Sequence, residues 1–392
     1  MPASVASPAL VDVAIVGVGL VGSSVISQLL TVPSLSASLR IVLLQNSKRA
    51  LLTPQGLSTS TPAAASSWAQ NLAASPDAAL PPRALVAHLQ AHRAQSGKHV
   101  VVVDNTSSQL IADAYPAFLG AGLSVVTPNK KAFSASSSLY AAILSALQSG
   151  ASAKNPIERP LVYQESTVGA GLPIIGTLND LVGTGDKVKK IEGVLSGTFS
   201  YIFNNYSTVK GSSVAFSQVV AVAKEQGYTE PHPGDDLSGS DVARKLTILA
   251  RLLPDDFDPT TALPEGYASV DTKSLTPAPL AQVTDPAEYV SRLPDFDADF
   301  DTLRKQAFER GEVLRYVGVI DVEKKAIKAS LESYPFAHPF ASALSGSDNI
   351  IAFHTSRYAN APLIVQGAGA GADVTAMGVV ADLRRVAERR AV

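Results

Sequence analysis

At 392 residues the chain is long enough for two domains, each with its own core. Hydrophobic residues make up 46% and charged residues 17%, which fits a globular protein and excludes a disordered one. Lys plus Arg is 32 against 34 for Asp plus Glu, a net charge of −2 without a basic stripe, which argues against nucleic acid as a partner. With no cysteine, the chain has no disulfides, thiolate metal sites or cysteine nucleophiles. That excludes an aldehyde dehydrogenase working through a thioester. Met1 to Leu10 lacks the charged and apolar regions of a signal peptide, and no apolar run approaches the roughly 20 residues of a membrane helix. The expectation is a soluble, cytoplasmic protein with no membrane partner.

In chain order, Asp12 to Val16 reads as a buried parallel strand, Ser23 to Leu30 as a helix and Arg40 to Leu44 as the next strand of a βαβ unit. Residues 53–82, rich in Ser, Ala, Thr and Pro, read as a surface excursion with one helix around Trp68 to Ala74. Alternation then resumes: helix Ala84 to Ala94, strand His99 to Val103, helix Ile111 to Leu119, strand Leu123 to Val126, helix Ser136 to Gln148. Such alternation predicts a doubly wound parallel sheet, with a linker over Gly150 to Pro160.

The second half has a different pattern. Strands are expected at Leu161 to Glu165, Val188 to Val194, Val313 to Ile320, Ala326 to Ser333 and Asn349 to His354. Helices are expected at Leu172 to Leu181, Gly197 to Tyr206, Ser213 to Gln226 and Ser238 to Leu252. Residues 254–310 are acidic and weakly periodic. A last apolar run, Pro362 to Val365, leads through Gly367 to Gly371 into a final helix reaching about Arg389. These elements suggest an α+β domain beside the first.

Gly17-Val18-Gly19-Leu20-Val21-Gly22 matches G-x-G-x-x-G and lies directly between a predicted strand and helix. Glycines there permit a tight turn and close approach of a pyrophosphate to the helix N-terminus; the alternative is a purely structural turn. The second strand ends Leu44-Gln45-Asn46-Ser47-Lys48-Arg49 without the usual ribose-binding acid. Lys48 and Arg49 could meet a 2′-phosphate, which favours NADP over NAD, or form an ordinary solvated turn.

Between Ala223 and Lys245 a helix ends at Gly227, and a loop carries Glu230, Asp235 and Asp236. A new helix near Ser238 then places Asp241 and Lys245 at i and i+4. Carboxylates can hold a substrate ammonium while a lysine passes a proton to a carbonyl oxygen. A helix-capping loop with a surface ion pair is the alternative on spacing alone, with Asp235 and Asp236 as candidate caps.

This stretch resembles the signature of homoserine dehydrogenases through Gly227, Tyr228, Pro233, Asp236, Leu237, Gly239, Asp241 and Lys245, with His232 departing from the family's small polar or acidic residue. Thr127 to Phe133 resembles the family's loop that brings Lys130 to the nicotinamide and substrate. Asp104-Asn105-Thr106-Ser107 resembles its cofactor-facing turn, Ile191 to Thr198 its substrate-facing strand and turn with Gly197 and Thr198, and Gly367 to Gly371 its C-terminal glycine segment. Glu165 to Pro173 is similar to the segment in which a glutamate and backbone carbonyls hold a monovalent cation.

The resemblance implies a Rossmann-type dinucleotide-binding domain over 1–160, completed by 366–392, plus an α+β substrate and dimerisation region over 161–365. It implies NAD(P)H-dependent reduction of L-aspartate 4-semialdehyde to L-homoserine in threonine, methionine and isoleucine biosynthesis. Lys245 or Lys130 would move the proton, and Glu230, Asp241, Asp235, Asp236, Gly197 and Thr198 would bind substrate. Gly17, Gly19, Leu20, Val21, Gly22, Lys48, Arg49, Asn105, Thr106, Lys130 and Gly371 would bind the nucleotide. Sodium, a hard cation suited to oxygen ligands, would sit at Glu165, Val168, Ala170 and Leu172. The nearest likeness is to the single-function fungal type, a homodimer without kinase or regulatory domains. Two other readings are a dehydrogenase of a different amino-acid semialdehyde and a nucleotide sensor without turnover, which would be expected to lack Lys245 or Glu230.

Overall fold

A computed structural model describes residues 11–57, 67–151, 159–253, 258 and 262–390. The first ten residues, the middle of the Ser/Ala-rich excursion and most of the expected linker lie outside the described residues. The chain divides into two compact units. One holds Met1–Phe133, Ser138–Gly171 and Gly371–Val392; the other holds Ser134–Ser137 and Leu172–Ala370.

The first unit is built on a six-stranded sheet. Its strands are β1 (Val11–Val16), β2 (Leu39–Gln45), β3 (Ala50–Leu52), β4 (Val100–Asp104), β5 (Ser124–Val126) and β6 (Val162–Tyr163). They lie in the order β3-β2-β1-β4-β5-β6, all parallel except β3. Every residue of β1 is buried, as expected of a central parallel strand covered on both faces. The last helix, Ala372–Glu388, carries Ala376, Val379, Val380, Leu383 and Val386 at helical spacing into the same core as Val25, Ile26 and Leu29 of helix Leu20–Thr31. The sequence reading broke the chain at residue 160. The division falls after Gly171, because Val162–Tyr163 pairs with β5 before the chain leaves.

A charged group lies inside this core. Asp12 of β1 is fully buried, and its carboxylate accepts from Arg40 Nε and Nη2 at 2.8 and 2.9 Å and contacts His92 Nε2 at 2.7 Å. The two partners come from β2 and from helix Pro82–Ser96, so the pair ties strand, strand and helix at one point.

The second unit carries another six-stranded sheet, of β7 (Val188–Val194), β8 (Asp271–Thr272), β9 (Glu312–Asp321), β10 (Ala326–Pro335), β11 (Asp348–Thr355) and β12 (Leu363–Ala368). The order is β12-β11-β7-β9-β10-β8, antiparallel except for β8 beside β10.

One expected helix is divided and another is shortened. Ile111 to Leu119 becomes Gln109–Ala112 and Tyr115–Gly120, the second starting with Pro116 in its first turn, where a missing N–H costs nothing. Ser238 to Leu252 becomes Ser240–Ala250, preceded by a separate short helix, Pro233–Leu237. Gly239 separates them at φ +76°, and a Cβ there would lie 2.1 Å from the Tyr316 hydroxyl. The described part of the weakly periodic region includes helices Pro286–Arg292, capped by Asp285, and Asp297–Glu309.

Asp12→Ala leaves Arg40 and His92 without their shared acceptor and is expected to cost about 3 kcal/mol, as breaking a buried ion pair does. Urea unfolding measures it, and a loss under about 1 kcal/mol would mean that the pair contributes little.

Candidate functional site

In the first unit the chain leaves β1 through Gly17 at φ +89°, where a Cβ would meet the Thr106 methyl at 2.7 Å and the Asn105 carbonyl carbon at 2.9 Å. A Cβ on Gly22 would lie 2.0 Å from the Gly17 carbonyl oxygen. Gly19 differs: a Cβ there would meet nothing within 4 Å. Its absence keeps open the space before helix Leu20–Thr31, whose first turn bears no acidic residue and whose N-cap has no side-chain acceptor. Exposed amide hydrogens and the positive helix end therefore face unfilled space, which fits a pyrophosphate.

Beside them, Asn105 donates its backbone N–H to Val16 O at 2.8 Å, while neither polar atom of its buried side-chain amide has a hydrogen-bond partner among the described residues. An unmatched amide at this turn is what a nucleotide would satisfy. Leu20 is 84% exposed. Val21 instead packs half-buried against the core, leaving only its backbone for a ligand.

The Thr106 side chain is held within its own turn. Its hydroxyl donates to Asp104 Oδ1 at 2.6 Å and accepts from Ser108 N at 3.0 Å, so its oxygen serves the loop. Arg49 likewise donates to the Ser75 carbonyl, tying the turn to the excursion, whereas Lys48 is exposed. The Asn46 side chain accepts from both their backbone N–H groups at 2.8 Å.

Sequence reasoning missed the hub behind this turn. Asp104 is fully buried and accepts from Thr106 N and Oγ1, from Tyr115 Oη at 2.6 Å and from Asn129 Nδ2 at 3.0 Å; burial raises its pKa against these bonds. Thr127 donates to Asp104 O at 2.7 Å, and Asn129 Oδ1 accepts from Lys131 N, so one carboxylate fixes both the 104–108 turn and the loop carrying Lys130. Nothing in the spacing of Asp104 and Tyr115 announces this.

Glu165 opens a short 3-10 turn and is 3% exposed. Its N–H donates to Asp382 Oδ2 at 2.8 Å, and Arg385 reaches its carboxylate at 3.2 Å. Burial is the main cause that raises Asp382 to about 6, and the Glu165 carboxylate adds to it. Val168 is buried, and Ala170 sits at φ +55°, a strained angle for a residue with a Cβ. The oxygen donors of Glu165, Val168 and Ala170 suit a hard cation, which would share Glu165 with Arg385. Gly371, at φ +122°, is the N-cap of the last helix. Leu172 begins the second unit's part of the chain.

In the second unit β7 ends at Val194, and Ser196 caps helix Gly197–Tyr206 by accepting from Phe199 N at 3.2 Å. Gly197 lets this helix start close to the 347 and 370 segments, since a Cβ would lie 3.3 Å from Ser347 O and 3.5 Å from Ala370 Cβ. Thr198 Oγ1 donates to Tyr228 O at 2.7 Å and lies 2.8 Å from Asp236 Oδ1. Asp236 Oδ2 accepts from Glu230 N at 2.8 Å. Burial raises Asp236 to about 6; the bonds from Thr198 and Glu230 N oppose it, and the carboxylates of Glu230 and Asp241 add to it.

Lys245 is buried, and its ammonium donates to Leu195 O at 2.7 Å and pairs with Asp241 Oδ2 at 2.7 Å. The structure thus joins Thr198, Glu230 and Asp236 in one cluster and Asp241 with Lys245 in another, the carboxylates close enough to perturb one another. Asp235 lines a separate surface groove with His232, Ser238, Ser274 and Thr276. Neither aspartate is a cap. His232 caps helix Pro233–Leu237, Nδ1 accepting from Gly234 N at 3.1 Å and Nε2 donating to Val283 O at 2.9 Å.

Two family models match the chain, one described as homoserine dehydrogenase over residues 173–383 and one as the homoserine dehydrogenase NAD binding domain over residues 17–153. A homoserine dehydrogenase of Saccharomyces cerevisiae is 44% identical over 383 residues, covering 98% of this chain and 99% of the relative. A crystal structure of a Candida auris protein of unknown function is 43% identical, with a TM-score of 0.84, covering 98% of this chain and 100% of the other. A hyperthermophilic archaeal homoserine dehydrogenase solved with NADPH shares the fold at 20% identity, with a TM-score of 0.64 and 96% and 97% of the two chains covered.

Two glycine substitutions separate ligand space from packing. Gly19→Ala is expected to fold with wild-type stability and weaken dinucleotide binding about tenfold or more by filling the pyrophosphate space. Gly22→Ala is expected to lower the melting temperature, its Cβ meeting the Gly17 carbonyl. Calorimetry and nucleotide titration measure both; unchanged binding by Gly19→Ala would place the nucleotide elsewhere.

Proposed function

The chain belongs to the homoserine dehydrogenase family, and from that premise we propose how its own residues carry out the reaction. It is an NAD(P)-dependent oxidoreductase interconverting L-aspartate 4-semialdehyde and L-homoserine, a step of amino-acid biosynthesis. The nucleotide supplies a hydride to the aldehyde carbon in one direction and accepts it from the alcohol carbon in the other.

Lys245 is the proton-transfer residue. As hydride arrives, the C=O bond becomes a C–O single bond and its oxygen takes a proton from the Lys245 ammonium; in oxidation the amine takes that proton back. The observation that carries this reading is the buried ammonium held at 2.7 Å by both Asp241 and Leu195 O, a fixed donor beside a carboxylate cluster. Lys130 is the competing residue, and the Asp104 network fixes its loop for contact with the nicotinamide and substrate. Glu230 and Asp236 bind the substrate ammonium, with Thr198 and Gly197 shaping that end. Asp241 orients Lys245.

Gly17, Gly19 and Gly22, with the backbone of Leu20 and Val21, would hold the nucleotide, and Asn105, Thr106 and Gly371 would contribute beside them. Lys48 would meet a 2′-phosphate, which favours NADP over NAD; Arg49 acts by holding that turn. Glu165, Val168, Ala170 and Leu172 would hold a sodium-like cation. The enzyme works as a cytoplasmic homodimer. Supporting that assembly, β12 is an edge strand that alternates exposed and half-buried positions, with Ile364 37% exposed, and an unpaired edge invites a partner strand or cover.

Homoserine-dependent reduction of NADP and of NAD, followed by nicotinamide absorbance at mildly alkaline pH, tests the central assignment. Lys245→Ala is expected to lose about 100-fold or more in turnover while still binding nucleotide. Turnover that survives moves the proton to Lys130. Lys48→Ala is expected to raise KM for NADP and leave that for NAD unchanged.

The Asp236 carboxyl gives a pH dependence. Its pKa is raised to about 6, and the form that binds an ammonium is the ionised one. Homoserine affinity is therefore expected to rise as pH increases through about 6 and then level off. In Asp236→Asn this rise should be lost; a variant that keeps the wild-type profile would remove Asp236 from ammonium binding.

A further inference from the structure

Beside Lys245 lies a polar side chain to which the reaction assigns no part. Asn349, in β11, is fully buried. Its Nδ2 donates to Leu195 O at 3.2 Å, the same oxygen that accepts from Lys245 Nζ at 2.7 Å. Its buried Oδ1 has no hydrogen-bond partner among the described residues. A buried amide half unmatched is a costly way to fill space, and a leucine of similar volume would leave no polar atom behind. The backbone is cleared to admit this one: a Cβ on Gly369 would lie 2.0 Å from Asn349 Cγ. Gly369 has no stated part in binding the nucleotide, so this accounts for one glycine of the C-terminal segment.

Leu195 needs such an anchor. It follows the last residue of β7, whose pairing with β11 ends at Val194 opposite Ile350, and it precedes the cap of the next helix. Its carbonyl is outside the sheet ladder and is held by side chains.

We infer that Asn349 is a positioning residue for Lys245. It fixes the Leu195 carbonyl, and that carbonyl together with Asp241 fixes the direction of the ammonium. The inference rests on Lys245 being the proton-transfer residue. Losing the anchor lets the carbonyl and the ammonium shift by fractions of an ångström, which slows proton transfer without touching the groups that bind substrate.

The discriminating variant is Asn349→Leu, which keeps the volume and removes the donor; Asn349→Ala serves if the leucine form does not fold. Steady-state homoserine oxidation is measured below the melting temperature of each, with Lys245→Ala alongside. Expected is a fall in kcat of about tenfold with KM for homoserine and NADP within about twofold, a fraction of what a 1 Å misplacement can cost. Wild-type kcat in Asn349→Leu, or a change in melting temperature alone, overturns the inference. If Lys245→Ala stays active, the parent assignment fails; if it is inactive while Asn349→Leu is not impaired, only this inference fails.

Discussion

A lysine ammonium taken out of water must be given acceptors, and much of the second unit is arranged to provide them for Lys245. One is Asp241, a turn earlier on the same helix; the other is a backbone carbonyl just beyond the end of β7. Supplying that carbonyl requires the strand to end where it does, Ser196 to start the next helix at once, and Asn349 to reach across from β11. The glycine break at 239 then separates the lysine's helix from the short helix bearing Asp236.

The carboxylates nearby obey a related constraint. Asp236 is half-buried beside two other acids; its burial is the main cause of its elevated pKa, and the two acids add to it. A bound ammonium would relieve it, which is why a cluster that repels itself when empty is suited to a cationic substrate group.

In the first unit the constraint is steric. Gly17 and Gly22 permit backbone to touch backbone, and Gly19 keeps space clear. Behind them Asp104 gathers two loops through its own bonds and those of Tyr115, Thr127 and Asn129. The same solution to a buried charge appears at Asp12, there with Arg40 and His92 and to a structural end.

The glycine motif, the strand-helix alternation and the Asp241–Lys245 pair are legible in the sequence because each depends on local periodicity or short spacing. Tertiary structure decided what depends on chain segments far apart. Asp235 and Asp236 are adjacent yet serve different surfaces, since neighbouring helical positions point about 100° apart. Arg49 is drawn off to Ser75, and the Thr106 hydroxyl to Asp104. Asn349, more than a hundred residues from Lys245, shares its acceptor only because β11 lies beside β7. Spacing along the chain determines which groups lie on one turn of helix or strand; which oxygen a buried donor reaches depends on sheet order and register.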